Sequence, residues 1–229
     1  MPRQGELDYL KSIGPDRARH ALGKPFSDAN CGTYLTEVGA FISLLPAPPR
    51  RLLDLGCGTG WTSIFFAKMG YDVTAVDLAP DMIDAAEENK RLYGVANVAF
   101  AVGDFEALKF DNEFDCVTIY DSLHHSENEL PVLQGAYRAL KPGGYCVTSE
   151  PGHGHVDNPI TLNAIAEHSV TERDMPPSVI IAAGRAAGFT SFRVYPRPID
   201  VRRDWLRRLK SLLESIAVPN RSGYVVLTK

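Results

Sequence analysis

A doubly wound α/β domain, with a mostly parallel seven-stranded sheet and helices on both faces, is the fold class this sequence predicts. Three observations lead there. Short β-branched apolar runs alternate along the chain with stretches of helical periodicity. The run Asp54-Leu55-Gly56-Cys57-Gly58-Thr59-Gly60 ends one such strand in glycines and passes directly into a helical stretch. The 229 residues, 45% hydrophobic and 23% charged, suffice for one domain with a sizeable core.

The elements follow in order. Residues 1–30 are polar and rich in Gly, Pro and Arg, and read as a loose arm with one short helix at most. Over 33–45, Leu35, Val38, Phe41, Ile42 and Leu45 recur at helical spacing until Pro46, Pro48 and Pro49 stop the helix. A strand at 51–55 leads through the glycines to a helix ending at Gly70. The alternating 71–78 is a second strand. Pro80 opens the next helix, Asp81 and Asp84 suit its first turn, and Gly94 closes it. Strands are expected at 98–102 and 114–120, then a helix from 129 to 140 stopped by Lys141-Pro142-Gly143-Gly144, then a strand at 145–149. Beyond it the rhythm breaks. Residues 151–175 are polar, with three histidines, and read as a substrate-side insertion. A helix at 176–187 capped by Gly188, a strand at 189–195, a basic amphipathic helix at 201–217 and a strand at 224–228 complete a single domain spanning 1–229.

The glycine run decides what kind of ligand to expect. A strand that turns through glycines into a helix points backbone N–H groups at an anionic or polar group. The spacing is G-x-G-x-G with an acid two residues ahead, not the dinucleotide G-x-G-x-x-G, and no lysine follows as in a phosphate-binding loop. The acid is awkward for a pyrophosphate and suits a ligand with an ammonium group. Asp77, 17 residues after Gly60, ends the second strand, where a carboxylate accepts hydrogen bonds from ribose hydroxyls of either a nicotinamide or a sulfonium nucleoside.

The stretch D-L-G-C-G-T-G closely resembles motif I of the class I (Rossmann-like) S-adenosylmethionine-dependent methyltransferases. Gly103-Asp104-Phe105, Tyr120-Asp121-Ser122-Leu123-His124-His125 and Leu140-Lys141-Pro142-Gly143-Gly144 resemble later signatures of that family, so the resemblance covers about residues 34–150. It implies an antiparallel last strand and a methyl-transferring enzyme with S-adenosylmethionine as cofactor. The cofactor residues it implies are Asp54 toward the methionine ammonium, and Gly56, Gly58 and Gly60 at the carboxylate end. Asp77 falls to the ribose, Leu78, Met82, Asp104 and Phe105 to the adenine, Tyr120 to the methionine part, and Tyr34 to a lid. The L-H-H form resembles small-molecule methyltransferases.

A hydroxyl acceptor benefits from a nearby base, and histidine suits neutral pH. His125 is the preferred catalytic residue, with His124 orienting the donor or packing locally. No metal site is assigned. His153 and His155, two apart and near Glu150, could hold an ion, and a substrate-facing polar loop is the preferred reading. A SAM-binding regulatory module without transfer and a protein methyltransferase are the alternatives.

The net charge of −4 and the absence of an N-P-P-Y-like motif argue against a nucleic-acid partner. The segment 202–210, with five basic residues, could touch a membrane surface, a phosphate-bearing substrate or a partner subunit, against a plain solvated helix face. No apolar run spans a bilayer and the N-terminus has no signal-peptide core, so the cytoplasm is the expected compartment. Cys31, Cys57, Cys116 and Cys146 form no C-x-x-C pair, so neither a disulfide framework nor a zinc site of cysteines is expected.

Overall fold

The computed structural model describes residues 2–198 and 222–229. Its seven strands are β1 (Arg51–Leu55), β2 (Asp72–Asp77), β3 (Val98–Val102), β4 (Phe114–Tyr120), β5 (Leu140–Glu150), β6 (Ser191–Tyr195) and β7 (Gly223–Thr228). They form one sheet in the order β3-β2-β1-β4-β5-β7-β6. β1 to β5 pair in parallel, and β7 runs antiparallel to both β5 and β6. The expected fold class is the observed one.

Strand periodicity splits the core in two. Leu53, Leu55, Val117, Ile119 and Cys146 pack on one face with Val132, Leu133 and Ile180. Their strand neighbours Leu52, Cys116 and Val147 pack on the other with Phe41 and Phe66. Alternate side chains leave a strand on opposite faces, so apolar runs without polar interruption are what a sheet covered on both faces requires. The helices that supply the covers are α3 (Cys31–Ile42), α4 (Trp61–Lys68), α5 (Pro80–Tyr93), α6 (Glu129–Ala139) and α8 (Pro177–Ala187).

Three regions depart from the sequence expectation. The N-terminal arm forms two helices, α1 (Pro2–Ser12) and α2 (Gly14–Leu22). Its glycines read as loop signals, yet Gly5 is where α1 crosses the chain at 168–169: a Cβ there would lie 2.1 Å from the Ser169 carbonyl oxygen. Tyr9 packs edge-on against His168, with ring centroids 5.4 Å apart. Tertiary contact thus overrides weak local propensity. Within 151–175 lies α7 (Pro159–His168), whose Asn158 side chain caps it by accepting from the Ile160 N–H at 3.0 Å. β5 begins before the Lys141–Gly144 turn rather than after it, because Leu140 pairs with Phe114, and the ladder then shifts and resumes at Tyr145. The expected helix at 201–217, including 202–210, lies outside the described residues.

Strand order reverses between β1 and β4, and a crevice opens outside their carboxyl ends, the usual ligand site of such sheets. Gly56 follows β1 with φ +70° and sits so close to Ser122 that a Cβ would meet its Cβ at 2.5 Å. The Ser122 hydroxyl closes the seam by donating to the Leu55 carbonyl at 2.8 Å. No helix among the described residues is long and apolar enough to cross a membrane.

Candidate functional site

A cavity of about 280 Å³ lies over that crevice, and eight of the expected site residues border it: Gly56, Gly58, Asp77, Leu78, Met82, Asp104, Phe105 and His125. Asp77 at the end of β2 accepts from the Gly58 N–H at 2.8 Å and the Ala79 N–H at 3.0 Å. Each of its oxygens keeps a further lone pair toward the cavity. Burial raises its pKa, and the two N–H groups oppose the rise. Asp104 caps the turn that carries Phe105 by accepting from the Glu106 N–H at 2.9 Å. Gly58 has φ +53° and nothing within 4 Å of where a Cβ would stand, so its backbone is open to a ligand. A carboxylate for ribose hydroxyls, apolar walls in Leu78, Met82 and Phe105, and a bare backbone turn fit the donor that the resemblance implies.

Five expected residues fall elsewhere. Asp54 is 1% exposed, and its carboxylate accepts from the hydroxyls of Ser63 at 2.5 Å, Thr118 at 2.8 Å and Thr62 at 3.2 Å. It does not border the cavity, so of the two expected modes of holding a ligand ammonium, directly or through water, the direct one is corrected: Asp54 anchors the start of α4 beneath the loop. Gly60 is also buried; its φ of +76° turns the chain into α4, and a Cβ would collide with Phe100 at 2.6 Å. Tyr34 and Tyr120 border a second cavity of about 290 Å³ with Glu37 and Arg197. His124 is buried behind His125, their ring centroids 4.1 Å apart.

Burial pushes the Asp54 carboxyl up to about 6 against the pull of the three hydroxyls. A carboxyl raised on folding contributes stability that is complete below its unfolded value of about 3.9 and lost as pH rises through the folded value. Asp54→Asn is therefore expected to flatten the fall in Tm between about pH 4 and pH 6, measured by calorimetry. A variant that keeps the wild-type slope contradicts this assignment.

Asp121, just past β4, borders both cavities. It holds φ at 54°, an uncommon conformation for a residue with a side chain. Burial opposes its charge, but His124, Arg197, His125 and Lys24 outweigh burial and hold it below the usual carboxylate range. An anion is thus fixed between the two cavities.

The histidines sit in a carboxylate frame. His125 Nδ1 donates to the Thr171 carbonyl at 2.8 Å and lies 3.4 Å from Glu6, which also accepts from the Thr171 N–H at 2.7 Å. Burial disfavours the charged ring, yet Glu6, Glu172 and the Thr171 carbonyl prevail and push its pKa up to about 9. A neutral ring ready to take a proton, as expected from sequence, is not what this structure holds. His124 Nδ1 lies 2.7 Å from Glu150, which is buried at the end of β5. His153 is 57% exposed, 3.6 Å from Asp174, and apart from His155, which bonds Glu172 at 2.7 Å. The two histidines hold different carboxylates, so the alternative in which they share an ion finds no common site among the described residues.

Sequence reasoning missed Glu6, Tyr9, Lys24, Glu106, Glu127, Val170, Thr171 and Glu172 among the cavity residues. Glu150 had a signal, since it ends a parallel strand like the other site residues. Glu6 and Glu172 had none: they arrive through the packing of α1 against the loop after α7.

Comparison with known proteins supplies the context. Residues 52–144 match the family described as a methyltransferase domain. The chain is similar to the ubiquinone biosynthesis O-methyltransferase of Xanthomonas campestris pv. campestris (strain B100), 34% identical over 151 residues, 62% of this chain and 58% of that one. It is also similar to the cypemycin N-terminal methyltransferase of a Streptomyces species, 41% identical over 103 residues, 43% of this chain and 41% of that one. The chain thus spans under two thirds of the length of these relatives. Among solved structures, phosphoethanolamine N-methyltransferase 2 of Haemonchus contortus with S-adenosyl-L-methionine aligns at TM-score 0.66 and 21% identity, covering 97% of this chain and 59% of that one. An S-adenosylmethionine-dependent methyltransferase of Mesorhizobium loti aligns at 0.62 and 19%, covering 84% and 96%. At these identities the structural likeness is one of fold.

Proposed function

We propose, from the premise that this chain carries a class I S-adenosylmethionine-dependent methyltransferase domain, that it transfers a methyl group from S-adenosylmethionine to a hydroxyl of a small-molecule acceptor. The observation that carries this reading is the meeting, at the carboxyl end of β4, of the nucleoside-fitting cavity with His125, Glu6 and Glu172. S-adenosylmethionine supplies a methyl on a sulfonium, which is already electrophilic.

The chain's residues bind, align and shield. Asp77 accepts from the ribose hydroxyls, and Leu78, Met82 and Phe105 flank the adenine. Asp121 takes the role expected of Asp54, an anion toward the methionine ammonium. His125 faces the acceptor oxygen, and the proton released from the hydroxyl passes into the carboxylates beside it. Glu6 and Tyr9 on α1 close the outer side of the cavity, which limits water. Holding the nucleophile in line with the breaking bond supplies much of the acceleration.

A second reading has its own observation. The cavity wall carries Glu6, Asp77, Asp104, Glu106, Asp121, Glu127 and Glu172, an acidic set that also suits an amine acceptor. The test offers S-adenosylmethionine with a panel of catechols, sugars, amines and a short peptide, and follows S-adenosylhomocysteine by mass spectrometry. Turnover with a hydroxyl compound is expected. His125→Ala should lower that turnover by roughly 100-fold while changing the Kd for S-adenosylmethionine no more than a few-fold. Turnover with amines or peptide alone establishes the second reading, and unchanged turnover in His125→Ala removes that residue from the reaction.

A further inference from the structure

We propose that His124, His125 and Glu172 form a site for one divalent transition-metal ion of the zinc type, set in the inner wall of the cavity. The hydrogen-bond partners show which ring nitrogens carry hydrogen. Glu150 accepts the backbone N–H groups of Ser122 at 3.2 Å, Leu123 at 2.9 Å and His124 at 3.3 Å. A carboxylate so held is an acceptor, so His124 Nδ1, 2.7 Å away, is the donor. In the neutral ring Nε2 then presents a lone pair. What it meets is a carboxylate oxygen of Glu172 at 3.5 Å. Two acceptors facing each other repel unless a positive charge, a ring proton or a metal ion, stands between them.

His125 offers the same arrangement once an ion displaces the proton on its Nε2: its Nδ1 donates to the Thr171 carbonyl, which leaves Nε2 as the ligand atom. One ligand atom from each of the three residues lies within 4.8 Å of the other two. Metal-binding histidines usually donate their second ring N–H to a carboxylate or a backbone carbonyl, and ligating carboxylates are themselves hydrogen-bonded. All of these supports are present: Glu150 behind His124, the Thr171 carbonyl behind His125, and His155 on Glu172 at 2.7 Å.

Distance and chemistry select the ion. Ligands about 2.1 Å from a tetrahedral ion stand ~3.4 Å apart, close to the His124–Glu172 separation. Two imidazoles and one carboxylate suit zinc, or iron(II) or cobalt(II), rather than magnesium or calcium. His125 and Glu172 both border the cavity, so an ion held by them would be reachable from it. The ion's part in catalysis rests on the hydroxyl-transfer reading. There an ion held by His124, His125 and Glu172 would supply Lewis acidity to an acceptor oxygen, and the Glu6 carboxylate would take the O–H proton. The O–CH3 bond forms as the S–CH3 bond breaks, and S-adenosylhomocysteine leaves.

The test reads metal, not activity. The full chain is dialysed against Zn²⁺ and assayed by plasma mass spectrometry, and Co²⁺ is titrated with visible absorption as readout. About one equivalent of Zn²⁺ is expected, with tetrahedral-type Co²⁺ bands. His124→Ala and Glu172→Gln should lose both signals, while Glu150→Gln should weaken affinity about 10- to 100-fold. His153→Ala, outside the site, should bind like the wild type. Circular dichroism confirms that each variant is folded, and Glu172→Gln, at the cavity wall, keeps the test decisive if His124→Ala does not fold. No bound metal, with a proton on His124 Nε2 in nitrogen NMR, overturns the proposal. So does binding that survives Glu172→Gln and His124→Ala, or that is lost in His153→Ala. Failure of the methyl-transfer reading leaves this readout untouched, and the transfer assay is likewise independent of it.

Discussion

Asp77→Ala is expected to weaken S-adenosylmethionine binding by ~100-fold or more. The carboxylate borders the cavity at the end of β2, and two backbone N–H groups already fix its orientation. Two ribose hydroxyls donating to an ionised acceptor contribute roughly 1.5–3 kcal/mol each, and each 1.4 kcal/mol is about tenfold in affinity. The substitution also removes the acceptor for the Gly58 N–H, so the glycine turn loses its brace. Asp77→Asn keeps an oxygen for one hydroxyl and should fall between wild type and Ala. Calorimetric titration of both variants checks the order. Equal affinity in wild type and Asp77→Ala removes the ribose assignment.

Asp121→Asn is expected to lower affinity for S-adenosylmethionine by ~10- to 100-fold, the worth of one charged hydrogen bond of about 1.5–3 kcal/mol. Asparagine tolerates the positive φ that Asp121 holds, so the substitution removes charge with little backbone cost. The loss should be smaller for a donor analogue that lacks the amino group, because the missing charge then has no partner. Equal losses for donor and analogue would place Asp121 away from the ammonium.

The same two residues mark how far the sequence could be read. The place of Asp77 at the cavity was legible because it follows from topology: a parallel strand ends at the crevice, and its last residue borders it. The short apolar runs of β1, β4 and β5, set between stretches of helical periodicity, made the sheet legible. The burial of Asp54 was not legible because distance along the chain from the glycine turn does not say which side of the sheet's end a side chain takes. Only the hydroxyls of Ser63, Thr118 and Thr62, brought together by folding, settle that it is buried. Glu6 and Glu172 were invisible because their place depends on α1 lying against 168–171, a contact between segments over 160 residues apart (Thr171 to Glu6 spans 165). His125 was found as a site residue, but its charge state could not be, since it is set by those two glutamates.

One ligand, S-adenosylmethionine, underlies every role assigned to the cavity. Calorimetric titration of the wild-type chain with S-adenosylmethionine, with S-adenosylhomocysteine and with NAD, each to millimolar concentration, tests it most directly. One site for the first two, with a matching rise in Tm and neither heat nor shift from NAD, is the predicted result. Absence of both heat and shift with S-adenosylmethionine, or saturable binding of NAD in its place, would contradict the account.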